Sequence, residues 1–329
     1  MTEKKYNILV TGGAGFIGTN LTKTLLEQGN PSTTLGINKV FCIDNLNDYY
    51  SPQIKKNNIK QFDDNPNYQF QKLDIKNFND LEKLFSDNSF DVVIHLAARA
   101  GVRASIENPS NYIQTNIQGT LNLLECLRKK PRTKFIFASS SSVYGNIKEI
   151  PFREDMNITN PVSPYAATKL STEAICYTYH HLYKIKIVGL RFFTVYGPHN
   201  RPDMAHYKFT QSILEGKPIF KYGDGSTSRD YTYVDDIVQG IMACLDKNFS
   251  FEIFNLGNST PVTLNKMIST LEKVLNKKAI IDQRPIPAGD VMHTYADISK
   301  AQKLLNWEPK TPYEEGVKKM IEWYKNNDR

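Results

Sequence analysis

The 329-residue chain is 40% hydrophobic, 11% aromatic and 23% charged, a composition that excludes a disordered or fibrous polymer and suffices for about two domains at roughly 150 residues each. Its net charge of +7, from 41 basic and 34 acidic residues, is spread along the chain without a block of like charges, which argues against nucleic-acid binding and favours an anionic small molecule. Cys42, Cys126, Cys176 and Cys244 lie 84, 50 and 68 residues apart, which excludes a zinc or disulfide framework; with no apolar leader and no run of about 18 apolar residues, a cytoplasmic protein with no membrane segment and no metal is expected.

In chain order, apolar runs at 6–10, 39–43, 68–73, 91–96, 134–138 and 186–190 read as strands, and segments at 16–29, 78–86, 109–128 and 163–183 carry helical spacing. Strict alternation of the two means a parallel sheet. Runs such as VVIHL and FIFA lack the in/out alternation of a half-exposed strand, as expected where helices cover both faces. The polar residues 28–38 read as an exposed loop inserted before the second strand. After about residue 192 the rhythm breaks into YGPHNRP, EGKP, YGDGSTS, LGNSTP and RPIPAGD, the pattern of recognition loops on a smaller α/β lobe. Helices are predicted there at 235–246, 263–277 and 311–327. The fold class expected is therefore α/β, a Rossmann-type doubly wound parallel sheet with a smaller C-terminal α/β lobe.

The first strand runs into Thr11-Gly12-Gly13-Ala14-Gly15-Phe16-Ile17-Gly18, which satisfies GxGxxG and opens a helix. Glycines here permit a tight turn, close backbone approach to a pyrophosphate, and close helix packing, with the helix N-terminus facing the anion. A plain glycine turn in a βα unit is the alternative. The second strand ends at Asp44, where a carboxylate can accept from the adenosine ribose hydroxyls and repel a 2′-phosphate, favouring NAD over NADP; a helix N-cap would look the same. Asp74 follows the third strand in the same way, near an adenine or in a simple turn.

Ser139-Ser140-Ser141-Ser142 ends a predicted core strand, where open α/β sheets bind ligands, although a solvated turn can also be serine-rich. Tyr165 and Lys169 are four apart on a predicted helix and share a face. An ammonium beside a phenol favours the phenolate and prepares it for general-base duty; an exposed Tyr/Lys pair is the bland reading.

Taken together, TGGAGFIG, LAARAGVR, TNIQGT, SSSSVYG, SPYAATK, SRDYTYVDD and ADISKAQKLLNW resemble, in order and over nearly the whole chain, the extended short-chain dehydrogenase/reductases, specifically the NAD-dependent nucleotide-sugar epimerases. AARAGVR and LRFFTVYGP followed by RPDMA look like UDP-glucuronate 4-epimerases, whereas galactose-type relatives usually carry Asn where this chain has Thr194. The resemblance implies a homodimer of isomerase subunits. It further implies an NAD-binding Rossmann domain over 1–192 plus about 233–256, and a nucleotide-sugar-binding domain over 193–232 and 257–329. Tyr165 would be the base, Lys169 would bind the nicotinamide ribose and lower the tyrosine pKa, and Ser140 would bridge to the sugar O4. Gly12, Gly15, Phe16, Ile17, Gly18, Asp44, Asn45, Asp74, Ile75, Leu96, Ala97, Ala98, Asn116 and Phe192 would line the cofactor site with Tyr165 and Lys169. Arg229 would clamp the UDP-sugar diphosphate and Asp290 the uridine ribose. Some relatives have an Arg three residues before that Asp, where this chain has Pro287, so the second diphosphate cation stays open.

The implied chemistry is oxidation at C4 to a 4-keto sugar, rotation, and hydride return to the opposite face. With glucuronate the intermediate is a β-keto acid, and Ser141, Ser142 and Thr194 would restrain the carboxylate, with Arg201 as support, direct charge partner or mere surface arginine. UDP-glucose or UDP-N-acetylglucosamine epimerisation is the nearest competing reading. Dehydratases usually place an acidic residue where this chain has Ser142. A silent NAD-binding regulatory protein of the same fold is the reading from a different class, opposed by the intact Ser140, Tyr165 and Lys169.

Overall fold

The computed structural model describes residues 5–28, 36–285 and 292–327. From the N-terminus, β1 (Lys5–Thr11), α1 (Phe16–Gln28), β2 (Gly36–Asp44), α2 (Pro52–Lys60), β3 (Tyr68–Lys72), α3 (Phe78–Asp87), β4 (Val92–His95), α4 (Val102–Glu107) and α5 (Pro109–Tyr112) lead into a π-helical turn, Ile113–Gln118, and α6 (Gly119–Arg128). There follow β5 (Lys134–Ser140), a 3-10 turn (Ser141–Tyr144), α7 (Pro164–Tyr183) and β6 (Ile187–Phe192). The rest comprises β7 (Thr194–Tyr196), α8 (Ala205–Glu215), β8 (Pro218–Tyr222), β9 (Ser228–Tyr233), α9 (Val234–Ala243), β10 (Phe251–Leu256), β11 (Pro261–Thr263), α10 (Leu264–Leu275), β12 (Ile280–Arg284), β13 (His293–Thr294), α11 (Ser299–Leu305) and α12 (Tyr313–Asn327).

These elements fall into two compact units. The first takes Met1–Gly145, Ile158–Arg191 and Ile241–Phe254. Its sheet has the order β10-β6-β5-β4-β1-β2-β3, and the β1–β2, β1–β4, β2–β3 and β4–β5 pairs are all parallel. All four residues of β4 are buried, as a strand covered on both faces requires. Ile8, Leu9, Val10, Leu21, Leu25, Val93, Leu123, Leu127, Phe135 and Ile187 have no exposed surface, and each such side chain contributes roughly 1.5–3 kcal/mol. The strand order reverses at β1, which has β2 on one side and β4 on the other, with Thr11 opposite Ile43 and His95. At such a switch point the carboxyl ends of the strands leave a crevice for a ligand.

Several boundaries differ from the sequence expectation. β2 begins at Gly36 because Ile37 is buried opposite Tyr6, so of the expected loop 28–38 residue 28 ends α1, 36–38 are strand, and 29–35 lie outside the described residues. Helix α2 has no apolar stripe to announce it: Lys55, Asn58 and Ile59 are its buried residues. The helix expected over 109–128 is interrupted by the π turn, and α4, α8 and α11 were not anticipated.

The second unit takes Asn146–Asn157, Phe192–Gly240 and Asn255–Arg329. Strand β9 is its centre, paired with β11 antiparallel and with β7 and β13 parallel, while β8 and β12 form a separate parallel pair. Segment 146–157, expected with the first domain, belongs here because Phe152 bridges to Ala296 and its carbonyl accepts from Asn255 Nδ2 at 2.8 Å. Residues 233–240 also fall here instead of with the first domain: Trp307 donates to the Asp236 carbonyl, and the Asp236 carboxylate accepts from the Lys310 and Thr311 amides.

Candidate active site

The glycine segment turns sharply at the carboxyl end of β1, where the Gly12 and Gly13 amides both donate to the Ile43 carbonyl. Gly12 has φ +72°, a left-handed conformation natural to glycine, and a Cβ there would stand 2.8 Å from the Ala97 nitrogen. At Gly18 a Cβ would lie 2.1 Å from the Gly12 oxygen, so α1 approaches the turn closely enough to present its first amides at the strand ends. A backbone cradle at a helix N-terminus fits a dinucleotide diphosphate. Phe16 and Gly18 are buried, and Gly15 and Ile17 half-buried, at this opening turn.

Asp44 ends β2 with 8% exposure. Burial pushes its carboxyl above the usual range, opposed by the Lys55 ammonium and the Leu46 amide, which donates to it at 2.8 Å. Asn45 and Asp74 meet, Nδ2 to Oδ2 at 3.0 Å, while Asp74 Oδ1 accepts from the Lys76 amide. Asp74 is therefore both a turn former and a neighbour of the Asp44 strand end. Ile75 is buried against Gly119. Leu96, Ala97 and Ala98 leave β4 half-buried, with the Leu96 amide on the Thr11 carbonyl.

Asn116 sits in the π turn, 2% exposed. Its Oδ1 accepts from the Arg99 amide, and its Nδ2 donates to the Arg99 carbonyl and to Thr168 Oγ1. The side chain thus holds the loop after β4 against α7, which makes Asn116 a positioning residue as much as a lining one.

Ser163 caps α7 by accepting from the Ala166 amide, with Pro164 in the first turn. This sets Tyr165 near the start of the helix, half-buried and edge-on to Tyr112 with ring centroids 6.2 Å apart. Lys169 is 5% exposed and donates to the Ala138 carbonyl at 2.7 Å; burial lowers its pKa to about 8 against the opposing charge of Glu173. The ammonium has three N–H donors, so the Ala138 contact leaves capacity for a ribose hydroxyl. Ser140 caps the following 3-10 turn, accepting from the Ser142 amide and donating to Ser142 Oγ, both at 3.2 Å. Ser141 and Ser142 are half-buried in that turn.

Sequence reasoning missed the groups beneath these residues. Glu173, one turn beyond Lys169, pairs with Arg191 through Nε at 3.0 Å and Nη2 at 2.8 Å and accepts from Ser139 Oγ at 2.5 Å, joining α7 to the carboxyl ends of β5 and β6. Asn58 donates to the Ala14 carbonyl, and buried Lys55 donates to Asn47, fixing the segment after Asp44. His95 joins Thr11 to Thr120. A polar residue at a core strand end, as in VVIHL, was the one available signal.

In the second unit, Phe192 is buried and Thr194 opens β7 opposite Tyr231. Arg229 lies half-buried on β9 and donates to the Ser228 carbonyl at 2.9 Å. Arg201 forms a two-point ion pair with Asp203, Nε–Oδ1 2.9 Å and Nη2–Oδ2 2.6 Å, so its charge is already matched within its own loop. Asp290 and Pro287 lie outside the described residues. Among the described residues no cluster of three potential metal ligands occurs.

Residues 9–320 match the family described as GDP-mannose 4,6 dehydratase. The chain is 47% identical over 320 residues, 97% of its length and 96% of the relative's, to a UDP-glucuronate 4-epimerase of Thermodesulfobacterium geofontis. Among solved structures it is similar to UDP-glucuronic acid 4-epimerase from Bacillus cereus in complex with UDP-glucuronic acid and NAD (TM-score 0.89, 40% identity, 98% and 99% of the two chains). It is also similar to UDP-glucose 4-epimerase from Thermotoga maritima with UDP-glucose (TM-score 0.88, 33% identity, 99% and 100%).

Proposed function

Because the chain belongs to the extended short-chain dehydrogenase/reductases, in the branch of NAD-dependent UDP-sugar epimerases, we propose that it interconverts UDP-glucuronate and UDP-galacturonate. It is an isomerase and NAD is its cofactor. The observation that carries the uronate reading is the 47% identity to a UDP-glucuronate 4-epimerase over 97% of the chain; Ser140 at the carboxyl end of β5 and Tyr165 and Lys169 on α7 support it.

Bound NAD supplies a reversible hydride acceptor for the sugar C4. Tyr165 accepts the O4 proton as C4 is oxidised and returns it after the ketone has turned over. Lys169 holds the nicotinamide ribose and, as a cation, favours the phenolate. Ser140 hydrogen-bonds O4 so that proton and hydride leave from a fixed geometry. Gly12, Gly15 and the first turn of α1 hold the diphosphate of the cofactor, and Asp44 the adenosine ribose. Arg229 binds the diphosphate of the substrate and Asp290 its uridine ribose. Ser141, Ser142 and Thr194 hydrogen-bond the uronate carboxylate; Arg201, already paired with Asp203, orders the loop. Holding that carboxylate near the ketone plane keeps its bond to the ring out of line with the carbonyl π system and so retards CO₂ loss.

The chain acts in the cytoplasm as a homodimer. Its four cysteines are buried, as suits a reducing compartment, and no described helix is long and apolar enough to cross a membrane. Ile113, Tyr177 and Leu182 are 52%, 55% and 58% exposed on the helical segments expected to pair, a surface suited to a two-fold contact. Incubation with UDP-glucuronate, UDP-glucose and UDP-N-acetylglucosamine in turn, with NMR of the products, tests the assignment. Conversion of UDP-glucuronate alone or by far the fastest is expected. Preference for a neutral sugar overturns the uronate reading, and turnover of none favours a silent regulatory protein.

A further inference from the structure

His95 ends β4 with 5% exposure and lies between two threonine hydroxyls, Thr11 Oγ1 at 2.7 Å from Nδ1 and Thr120 Oγ1 at 2.9 Å from Nε2. Its ring stacks on Phe135 with centroids 5.7 Å apart. Both hydroxyls are themselves buried, Thr11 at 0% and Thr120 at 1%. Counting protons fixes the direction of every bond. The Thr120 hydroxyl donates to the Asn116 carbonyl at 2.6 Å, so towards the imidazole it can only accept, and Nε2 must carry the hydrogen. Thr11 Oγ1 accepts from the Ala97 amide at 3.1 Å, and its own hydrogen has Nδ1 as its acceptor. The opposite tautomer would leave the Thr11 hydrogen buried without an acceptor and take the Thr120 donor from the Asn116 carbonyl, an arrangement that buried polar groups avoid.

The bonds close a circuit. Thr11 reaches Ala97, the backbone runs from Ala97 to Arg99, Arg99 is clamped at both its amide and its carbonyl by Asn116, and Asn116 returns through Thr120 and His95 to Thr11. Enclosed by it are Ala97 and Ala98, two of the cofactor-lining positions. Asn116 Nδ2 also donates to Thr168 Oγ1 on α7 at 3.0 Å, so the circuit touches the helix that carries Tyr165 and Lys169.

We propose that His95 is a positioning residue for cofactor binding: as the Nε2–H tautomer, its ring ties the entrance of the glycine turn to the π turn carrying Asn116 and so sets the shape of the NAD cradle. A protonated ring would have no lone pair for the Thr11 hydroxyl, and the circuit would open at that point. The protein opposes this. Burial, followed by the positive charge of Lys169 on α7, lowers the ring pKa to about 3; the other groups against the ring, Thr11, Thr120 and Phe135, carry no charge. The latch therefore stays closed across the physiological range.

The proposal rests on the NAD reading of the glycine turn. Two measurements test it. Nitrogen-15 NMR of the wild-type protein with labelled histidines, the His95 signals identified by their loss in His95→Gln, should show that ring with a protonated Nε2 and a bare Nδ1 whose resonances do not move between pH 5 and pH 8. Calorimetric titration with NAD should show His95→Phe, which keeps the stacked ring and loses both hydrogen bonds, binding at least tenfold more weakly, with His95→Gln and His95→Asn in between because each keeps one bond. An Nδ1–H tautomer, a ring that titrates within that range, or wild-type NAD affinity in a folded His95→Phe overturns the proposal. If His95→Phe does not fold, the wild-type NMR and the two amide variants decide it. Failure of the NAD reading itself would look different, since wild-type protein would then bind no NAD.

Discussion

Tyr165 and Lys169 share a face of α7, yet their surroundings differ: the phenol is half-buried beside Tyr112, and the ammonium is buried on the Ala138 carbonyl. Phenylalanine keeps the half-buried ring edge-on to Tyr112, so Tyr165→Phe should stay folded and keep its NAD affinity. It should lose roughly a hundredfold or more in kcat, the usual scale for a positioned acid/base; near-native turnover would remove Tyr165 from the chemistry. Thr194 bears on the fate of the ketone. Charge-assisted hydrogen bonds to a carboxylate are worth about 1.5–3 kcal/mol, so Thr194→Ala should slow epimerisation about tenfold and raise the fraction of 4-keto-pentose and CO₂, measured by NMR and a CO₂ assay. Unchanged partitioning would place the restraint elsewhere. The dyad and the serine run were legible because their spacing is local. The Glu173–Arg191 pair was not, since its partners stand 18 residues apart on a helix and a strand and only packing brings them together.

At the scale of elements, the glycine turn and α1 act as one unit because no side chain separates them. A methyl group at Gly18 would meet the Gly12 oxygen at 2.1 Å and the Gly13 Cα at 2.9 Å, all backbone, so neither partner can rotate away. Gly18→Ala should cost more than about 2 kcal/mol of stability, within the range for overpacking, and abolish NAD binding by calorimetry; a variant that binds normally would show the turn to be looser than described. Apolar periodicity located β4, β5 and α1 because each is buried along most of its length or on a continuous stripe. It passed over α2, which buries a lysine, an asparagine and a single isoleucine, and it could not reveal the π turn at Asn116, whose geometry depends on contacts to Arg99 and Thr168. RPD leaves Arg201 open as support, direct charge partner or surface arginine, and its two-point pair with Asp203 favours support.

Across the whole molecule, two histidines are buried as neutral rings, His95 in the first unit and His206 in the second. His206 packs on Tyr196 at 4.9 Å, contacts the Tyr313 hydroxyl at 2.8 Å, and burial lowers its pKa to about 3. Between pH 3 and 6.5 the unfolded chain binds the proton that the folded one refuses, so stability falls as pH drops through 6.5. Trp307 and Trp323, the only tryptophans, both lie in the second unit and report on it by fluorescence. Urea melts should show the wild type losing about 1 kcal/mol more than His206→Phe between pH 7 and 5.5; equal losses would mean the ring is not held neutral. The central claim, that the molecule moves one hydride off C4 of UDP-glucuronate and back to the other face, is tested most directly by giving the purified enzyme UDP-glucuronate deuterated at C4 and resolving the product by NMR. UDP-galacturonate with deuterium retained at C4 is the result predicted; UDP-galacturonate with hydrogen at C4, or no UDP-galacturonate, would contradict it.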